Sequence, residues 1–123
     1  MSLFAGWRAA YLYGRAVARF YQQRYEEAAH LLEKVCKLDP EHERKELYYS
    51  YLGRSYLALG QYSKALDFLS HAYEPFCKRS HTLENEFERR EFVEFITAFS
   101  DVLRRVGQAD YAQEVSRKAK EYT

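Results

Sequence analysis

The pattern between residues 49 and 69 limits the possible folds of this chain more than any other feature. Aromatic residues, leucines and small residues recur there at helical spacing around a turn: Tyr49-x2-Leu52-Gly53-x2-Tyr56, then Gly60-Gln61-Tyr62-x2-Ala65-x3-Leu69. Two antiparallel helices approach closely only where the side chains between them are small. We therefore expect Gly53 to lie at a tight helix crossing, faced by Ala65 and Ala72 from the second helix, with larger side chains on either side.

This pattern resembles the tetratricopeptide repeat (TPR), a helix–turn–helix unit that stacks into solenoids. A similar segment lies upstream, where Tyr25-x2-Ala28-x3-Leu32 leads to Leu38-Asp39-Pro40. A weaker match lies downstream, through Ile96-x2-Phe99-Ser100-x2-Leu103, Gly107 and Ala112. The resemblance implies three repeats, at about 9–42, 46–79 and 93–123, within a single domain that spans residues 1–123.

The hydrophobic spacing predicts an all-α chain of about six antiparallel helices, and the TPR resemblance implies a right-handed α-solenoid. The predicted helices cover about 6–22, 25–38, 42–59, 62–78, 82–106 and 109–121. The fifth helix is elongated relative to the family pattern. We expect extra helical turns at 82–92, with Thr82 capping the start.

The charge balance and the lack of long apolar runs exclude several classes of protein. The chain carries 19 Lys and Arg against 18 Asp and Glu, a formal net charge of +1. A dedicated nucleic-acid binder should carry a basic excess, so we expect no nucleic-acid partner. No run approaches the roughly 18–20 apolar residues of a membrane helix, and the first residues lack a secretory signal pattern. The two cysteines make no disulfide framework, which favours a reducing, cytoplasmic location.

Residues that could act in catalysis or bind a metal occur without an organising motif. His71-x5-Cys77-x3-His81 does not place three ligands on one helical face, and a fourth ligand is missing. The five glycines are scattered, so the sequence contains no glycine-rich phosphate loop. A nucleophile elbow is also absent from the sequence. We therefore expect no enzymatic activity, no metal and no cofactor.

The TPR resemblance implies a concave groove that binds a peptide or helix of another protein. The matching positions are apolar and aromatic at the N-terminal end of the groove and charged at the other end. Tyrosine suits such a surface because it combines a large rigid apolar face with a hydroxyl group. The expected anchors are Tyr13, Val17, Phe20, Tyr21 and Tyr51, and the arginines expected to contact acidic residues of the peptide are Arg54, Arg104 and Arg105.

One specialised form of TPR recognition is not expected here. The family's carboxylate clamp holds the C-terminal carboxylate of a chaperone tail with Lys, Asn and Arg side chains. The matching positions in this chain supply no such donor, since they hold Tyr13, Val17, Tyr51, Glu94 and Ala98.

Alternatives to an open groove remain at this point. Phe4 and Trp7, within residues 1–7, could cover the aromatic residues of the first helix, or a homodimer could bury them. The chain could instead be a self-assembling scaffold that associates through its fifth helix or its terminal repeats. It could also be a fragment of a larger TPR scaffold or of a peptide-sensing regulator.

The first helix also carries a basic stripe formed by Arg8, Arg15, Arg19 and Gln22. Such a stripe is typical of a polar cap that keeps the end of a repeat stack soluble. Residues 1–24 contain four arginines and no acidic residue. The stripe could therefore also dock an acidic partner.

Overall fold

The computed structural model describes residues 3–80 and 85–120, and these ranges contain six α-helices and no strand. The helices are α1 (Leu3–Tyr21), α2 (Tyr25–Leu38), α3 (Lys45–Ala58), α4 (Tyr62–Arg79), α5 (Glu86–Arg105) and α6 (Ala109–Lys120). The predicted all-α fold is confirmed.

The helices are arranged as three consecutive pairs, α1/α2, α3/α4 and α5/α6, that stack one on the next. Within each pair a short turn reverses the chain, and between pairs α2 packs on α3 and α4 packs on α5. The first helices of the pairs also contact one another directly, α1 with α3 and α3 with α5. We call the surface that these three helices share the inner face.

The tight crossing predicted at Gly53 is present in the middle pair. A Cβ atom added to Gly53 would lie 2.5 Å from Cγ of Leu69 and 3.2 Å from the carbonyl oxygen of Ala65. Distances this short leave no room for a methyl group. Ala65 lies opposite the glycine and is fully buried, as is Ala72 further along α4, so small residues on both helices accompany the close approach.

Each first helix ends in the same turn, in which one residue adopts a positive φ. Gly60 and Gly107 have φ values of 77° and 86°, and Gln23 fills the equivalent position after α1 with a φ of 63°. The next residue in each turn donates its backbone N–H to a carbonyl five residues back, as Gln61 does to Tyr56 at 2.9 Å. This bond satisfies one of the carbonyls that a helix end leaves without a partner.

The start of α5 differs from the prediction. The helix begins at Glu86 rather than at 82, and Asn85 caps it by accepting a hydrogen bond from the backbone N–H of Glu88 at 2.8 Å. The predicted cap, Thr82, lies outside the described residues. An asparagine followed by a glutamate three residues later is a known start signal for helices. With 20 residues against 14 in α3, α5 is still the longer helix.

Two other helix starts also differ from the prediction. α1 begins at Leu3 instead of residue 6, so residues 3–5 belong to its first turn. α3 begins at Lys45 instead of 42, because the backbone N–H of Arg44 donates to Nδ1 of His42 in a turn before the helix.

Candidate partner-binding site

Four aromatic side chains meet on the inner face, where α1 lies against α3. Tyr13, Phe20 and Tyr21 come from α1, and Tyr51 comes from α3; we call them the aromatic cluster. The ring of Tyr51 is central. Its centroid lies 5.2 Å from that of Phe20 and 6.2 Å from those of Tyr13 and Tyr21, all in edge-to-face contacts. Such geometry is the favoured arrangement of aromatic pairs, so the cluster is well packed.

The guanidinium group of Arg54 stacks on this cluster. Its Cζ atom lies 4.8 Å from the ring centre of Phe20 and 4.7 Å from that of Tyr51. The side chain is only 8% exposed and faces two carboxylates of α5, Glu91 at 3.9 Å and Glu94 at 3.7 Å. Arg54 was predicted to contact a peptide, but in this structure its charge is directed at acidic groups of the same chain.

Glu91 is the acidic group beneath the aromatic cluster, and it is only 3% exposed. Tyr51 donates its hydroxyl to Oε1 of Glu91 at 2.9 Å, and the Tyr21 hydroxyl lies 3.2 Å from that of Tyr51. Burial raises the pKa of Glu91 above its ordinary value, against the opposite effects of the Tyr51 hydrogen bond and the Arg54 charge. Oε2 of Glu91 and Nη1 of Arg54 form no hydrogen bond within the described residues.

Two tyrosines of the cluster, Tyr13 and Tyr51, are held in their neutral form. Burial raises the pKa of Tyr13 and of Tyr51, and the nearby carboxylate of Glu91 raises both further. A neutral tyrosine hydroxyl can donate one hydrogen bond and accept others. The cluster therefore presents hydroxyl groups rather than charges near its surface.

Access to the cluster differs from residue to residue. Tyr21 is 60% exposed, whereas Tyr13, Val17 and Phe20 are half-buried against the core and Tyr51 is buried. Phe4 and Trp7 do not cover the cluster, because they are among the most exposed side chains of the chain. Tyr21 is thus the point at which the cluster opens to solvent.

The structure does not bring the two remaining predicted site residues to the cluster. Arg105 donates to the Tyr62 hydroxyl at 3.0 Å and to Asp101 at 3.2 Å, next to α4. Arg104 donates to the Ser116 hydroxyl of α6 at 3.1 Å. The two arginines lie near the C-terminal end of α5, while Glu91 lies near its start, so they form a separate charged region.

Glu91 itself was missed by the sequence interpretation, although a signal for it exists. It precedes Phe95 and Phe99 at i, i+4 and i+8, so it falls on the apolar face of α5. A carboxylate on a buried helix face needs a hydrogen-bonding or charged partner. Tyr51 and Arg54, in the neighbouring repeat, are those partners.

A second buried carboxylate, Glu46, lies at the start of α3 and is 1% exposed. It accepts from Nε of Arg44 at 2.9 Å and faces Nε of Arg79 at 3.0 Å. Arg44 also donates to Glu88 of α5 at 3.1 Å. This network ties α3 to the end of α4 and to the start of α5.

The described residues contain no group of three or more His, Cys, Asp or Glu side chains that could hold a metal ion. His81, part of the weak metal pattern in the sequence, lies outside the described residues. Cys36 and Cys77 form no disulfide. Among the described helices, none is both long and apolar enough to span a membrane.

Comparison with known proteins gives a family match for part of the chain and a solved structure of similar fold. Residues 9–42 match the model of the tetratricopeptide repeat. A solved structure from Podosopora anserina, described as a kinesin light chain with nearly identical TPR-like repeats, has a similar fold with a TM-score of 0.61. The sequences are 23% identical, and the match covers 94% of this chain and 55% of that chain. No curated protein matches this sequence.

Residues 9–42 are therefore similar to a tetratricopeptide repeat, and the chain has the fold of a TPR-like α-solenoid. Repeats of this class generally serve as protein-interaction modules. The chain matches only 55% of the length of the kinesin light chain structure. The comparison therefore supports the fold of this chain and identifies no partner.

Proposed function

We propose that the protein is an interaction module that captures a peptide or helix of a partner protein on its inner face, with the aromatic cluster as the anchor. The observation that carries the proposal is the exposed ring of Tyr21, which is supported from below by Tyr51, Glu91 and Arg54. A partner with an apolar side chain would pack on Tyr21 and on the half-buried rings of Tyr13 and Phe20.

The support beneath Tyr21 matters energetically. Edge-to-face packing and the hydroxyl contact to Tyr51 restrict the ring before a partner arrives. Restricting a side chain in advance lowers the entropy that binding must remove. Tyrosine anchors in such positions are frequent hot spots of protein interfaces.

Charged side chains of the partner would meet the part of the inner face formed by α5. Glu94, Asp101, Arg104 and Arg105 are all at least partly exposed there. We expect Arg104 and Arg105 to contact acidic residues of the partner, and Glu94 to contact basic ones. In this proposal Arg54 supports the aromatic cluster, since Glu91 and Glu94 already occupy its guanidinium group.

The test compares Tyr21→Ala with Tyr111→Ala as a matched control. Both tyrosines are exposed, but Tyr111 lies on α6, away from the aromatic cluster. A partner is first identified by pull-down with the wild-type chain, and its affinity for each variant is then measured by calorimetry. We expect Tyr21→Ala to weaken binding by at least about 1 kcal/mol and Tyr111→Ala to leave it unchanged. Equal affinities for both variants would reject the aromatic cluster as the anchor.

A further inference from the structure

The outward side of α1 forms a second surface, distinct from the inner face. Phe4, Trp7 and Tyr11 are 83%, 76% and 61% exposed, and their spacing of i, i+3 and i+7 places them in one row along the helix. Arg8 and Arg15 lie beside this row and are also exposed. We call these five residues the outer stripe. The opposite side of α1 is buried in the core through Ala9, Leu12 and Ala16.

The equivalent side of α3 is covered by another helix. In the repeat pattern that pairs Ala16 with Gly53, Tyr11 corresponds to Tyr48 and Arg15 to Leu52. Tyr48 is buried, and its hydroxyl donates to Asp39 at the end of α2 at 3.1 Å. The outer stripe of α1 thus has the position at which the preceding helix of a stack packs.

The charges of the outer stripe determine which kind of partner helix can bind to it. Arg19 and Arg24 pair with Glu27, at 3.0 Å and 3.6 Å. Arg8 and Arg15, in contrast, form no ion pair with any described residue, and the guanidinium of Arg15 lies 5.9 Å from the ring centre of Tyr11. A helix packed over Arg15 would bury its charge at a high cost unless it brought a carboxylate.

We propose that the outer stripe binds an amphipathic helix of a partner protein, whose apolar residues pack on Phe4, Trp7 and Tyr11 and whose acidic residues pair with Arg8 and Arg15. Charge argues against two faces of a second copy of this chain as the occupant, its outer stripe and the end of its α6. Two outer stripes face to face would bring arginines together, and like charges across an interface are unfavourable. The last turn of α6, the end helix of another copy, is also basic: Arg117, Lys118 and Lys120.

The proposal can be tested directly because Trp7 is the only tryptophan of the chain. The probe is a synthetic amphipathic helical peptide with leucines on one face and glutamates beside them, and the control peptide carries lysines in place of the glutamates. Binding is followed by the fluorescence of Trp7, which shifts to shorter wavelength when the ring leaves water. We expect the glutamate peptide to bind at least about tenfold more tightly than the lysine peptide, and less tightly as salt is added.

Variants of exposed residues complete the experiment. Arg8→Glu/Arg15→Glu should reverse the preference between the two peptides, and Tyr11→Ser should weaken binding of the glutamate peptide. Phe87→Ser, which alters an exposed aromatic residue of α5, should bind the glutamate peptide like the wild type. Circular dichroism checks that each variant is folded.

Three results would overturn the proposal: equal binding of both peptides, a preference that the double variant keeps, or a concentration-dependent shift of Trp7 emission with a doubled mass when no peptide is present. The last would identify a second copy as the occupant. Tyr21 takes no part in this surface, so failure here would leave the proposed inner-face site standing, and failure of that site would leave the outer stripe standing.

Discussion

Two buried glutamates, Glu46 and Glu91, have the same chemistry and nearly the same burial but different surroundings. Glu46 lies within 3.0 Å of donor nitrogens of two arginines, Arg44 and Arg79. Glu91 accepts one hydrogen bond, from Tyr51, and its nearest guanidinium nitrogen, on Arg54, is 3.9 Å away. The first carboxylate is paired with two arginines, whereas one oxygen of the second has no hydrogen-bond partner among the described residues.

This difference separates a structural network from a candidate site. Buried polar groups in folded proteins are almost always hydrogen-bonded, and exceptions cluster where function outweighs stability. Glu46 joins three helices and serves the fold. Glu91 lies under the aromatic cluster, the proposed binding site on the inner face, and its incomplete pairing fits a site that has not been optimised for stability alone.

The largest effect is expected from breaking the Glu46 network. Glu46→Ala removes the acceptor of two arginines, and we expect it to lower the free energy of unfolding by about 2–3 kcal/mol. This loss of stability is smaller than that for a fully buried, unpaired charge, because Arg44 and Arg79 are partly exposed to water. Urea unfolding measures it, with Glu41→Ala, an exposed neighbour, as the control. If Glu46→Ala and Glu41→Ala lower the free energy of unfolding equally, Glu46 has no special structural role.

A smaller effect is expected at the other carboxylate, from Tyr51→Phe. This variant keeps the ring packing of the aromatic cluster and removes the hydroxyl that donates to Glu91. Leaving the buried carboxylate without that donor should cost about 1–2 kcal/mol in urea unfolding. Tyr111→Phe, which changes an exposed ring, should cost close to nothing. If Tyr51→Phe and Tyr111→Phe have the same free energy of unfolding, the hydrogen bond to Glu91 does not stabilise the cluster.

The smallest effect is the contribution of Glu91 to the pH dependence of stability. Because its pKa is raised in the folded state, the folded chain binds a proton more tightly than the unfolded chain does. The stabilisation that Glu91 contributes is therefore present at low pH. It is lost as the pH rises from the ordinary carboxyl pKa of the unfolded chain through the raised pKa of Glu91 in the folded chain. Glu91→Gln keeps an acceptor for Tyr51 and cannot ionise, so it should lack this loss.

Measurement of unfolding free energies between about pH 4 and about pH 7 covers the ordinary carboxyl range and the region above it. The difference between Glu91→Gln and the wild type should grow in favour of the variant as pH rises, to about 1 kcal/mol or less. A constant difference across this range would show that Glu91 titrates as an exposed carboxylate does. Glu46→Gln provides the contrast, because removing the charge of a carboxylate that pairs with two arginines should destabilise the chain at neutral pH.

Sequence patterns predicted the fold better than they predicted the candidate site. Gly53 and the apolar spacing determine how two helices of one pair pack, since those contacts lie close together in sequence. Repeat spacing also placed Tyr13, Phe20, Tyr21 and Tyr51 on a common face, and the structure brings these four together. Both results follow from local, periodic information.

The ion pairs between neighbouring repeats could not be predicted in the same way. The pairing of Arg54 with Glu91 and Glu94 depends on how α5 is positioned along α3, and the start of α5 was itself predicted four residues early. Arg104 and Arg105 were placed in the site by helical position alone, but their side chains reach Ser116 and Tyr62. The partners of long side chains depend on how neighbouring helices are positioned, which periodicity does not specify.

The central claim, that partners bind on the inner face at the aromatic cluster, is tested most directly by site-specific photo-crosslinking. A photoreactive phenylalanine derivative replaces Tyr21 in one variant and Tyr111, on α6, in the other, and both are exposed to the same cell lysate. We predict a discrete crosslinked partner from position 21 that excess unlabelled wild-type chain competes away, and none from position 111. The same partner crosslinked equally from both positions, or from position 111 alone, would contradict the account.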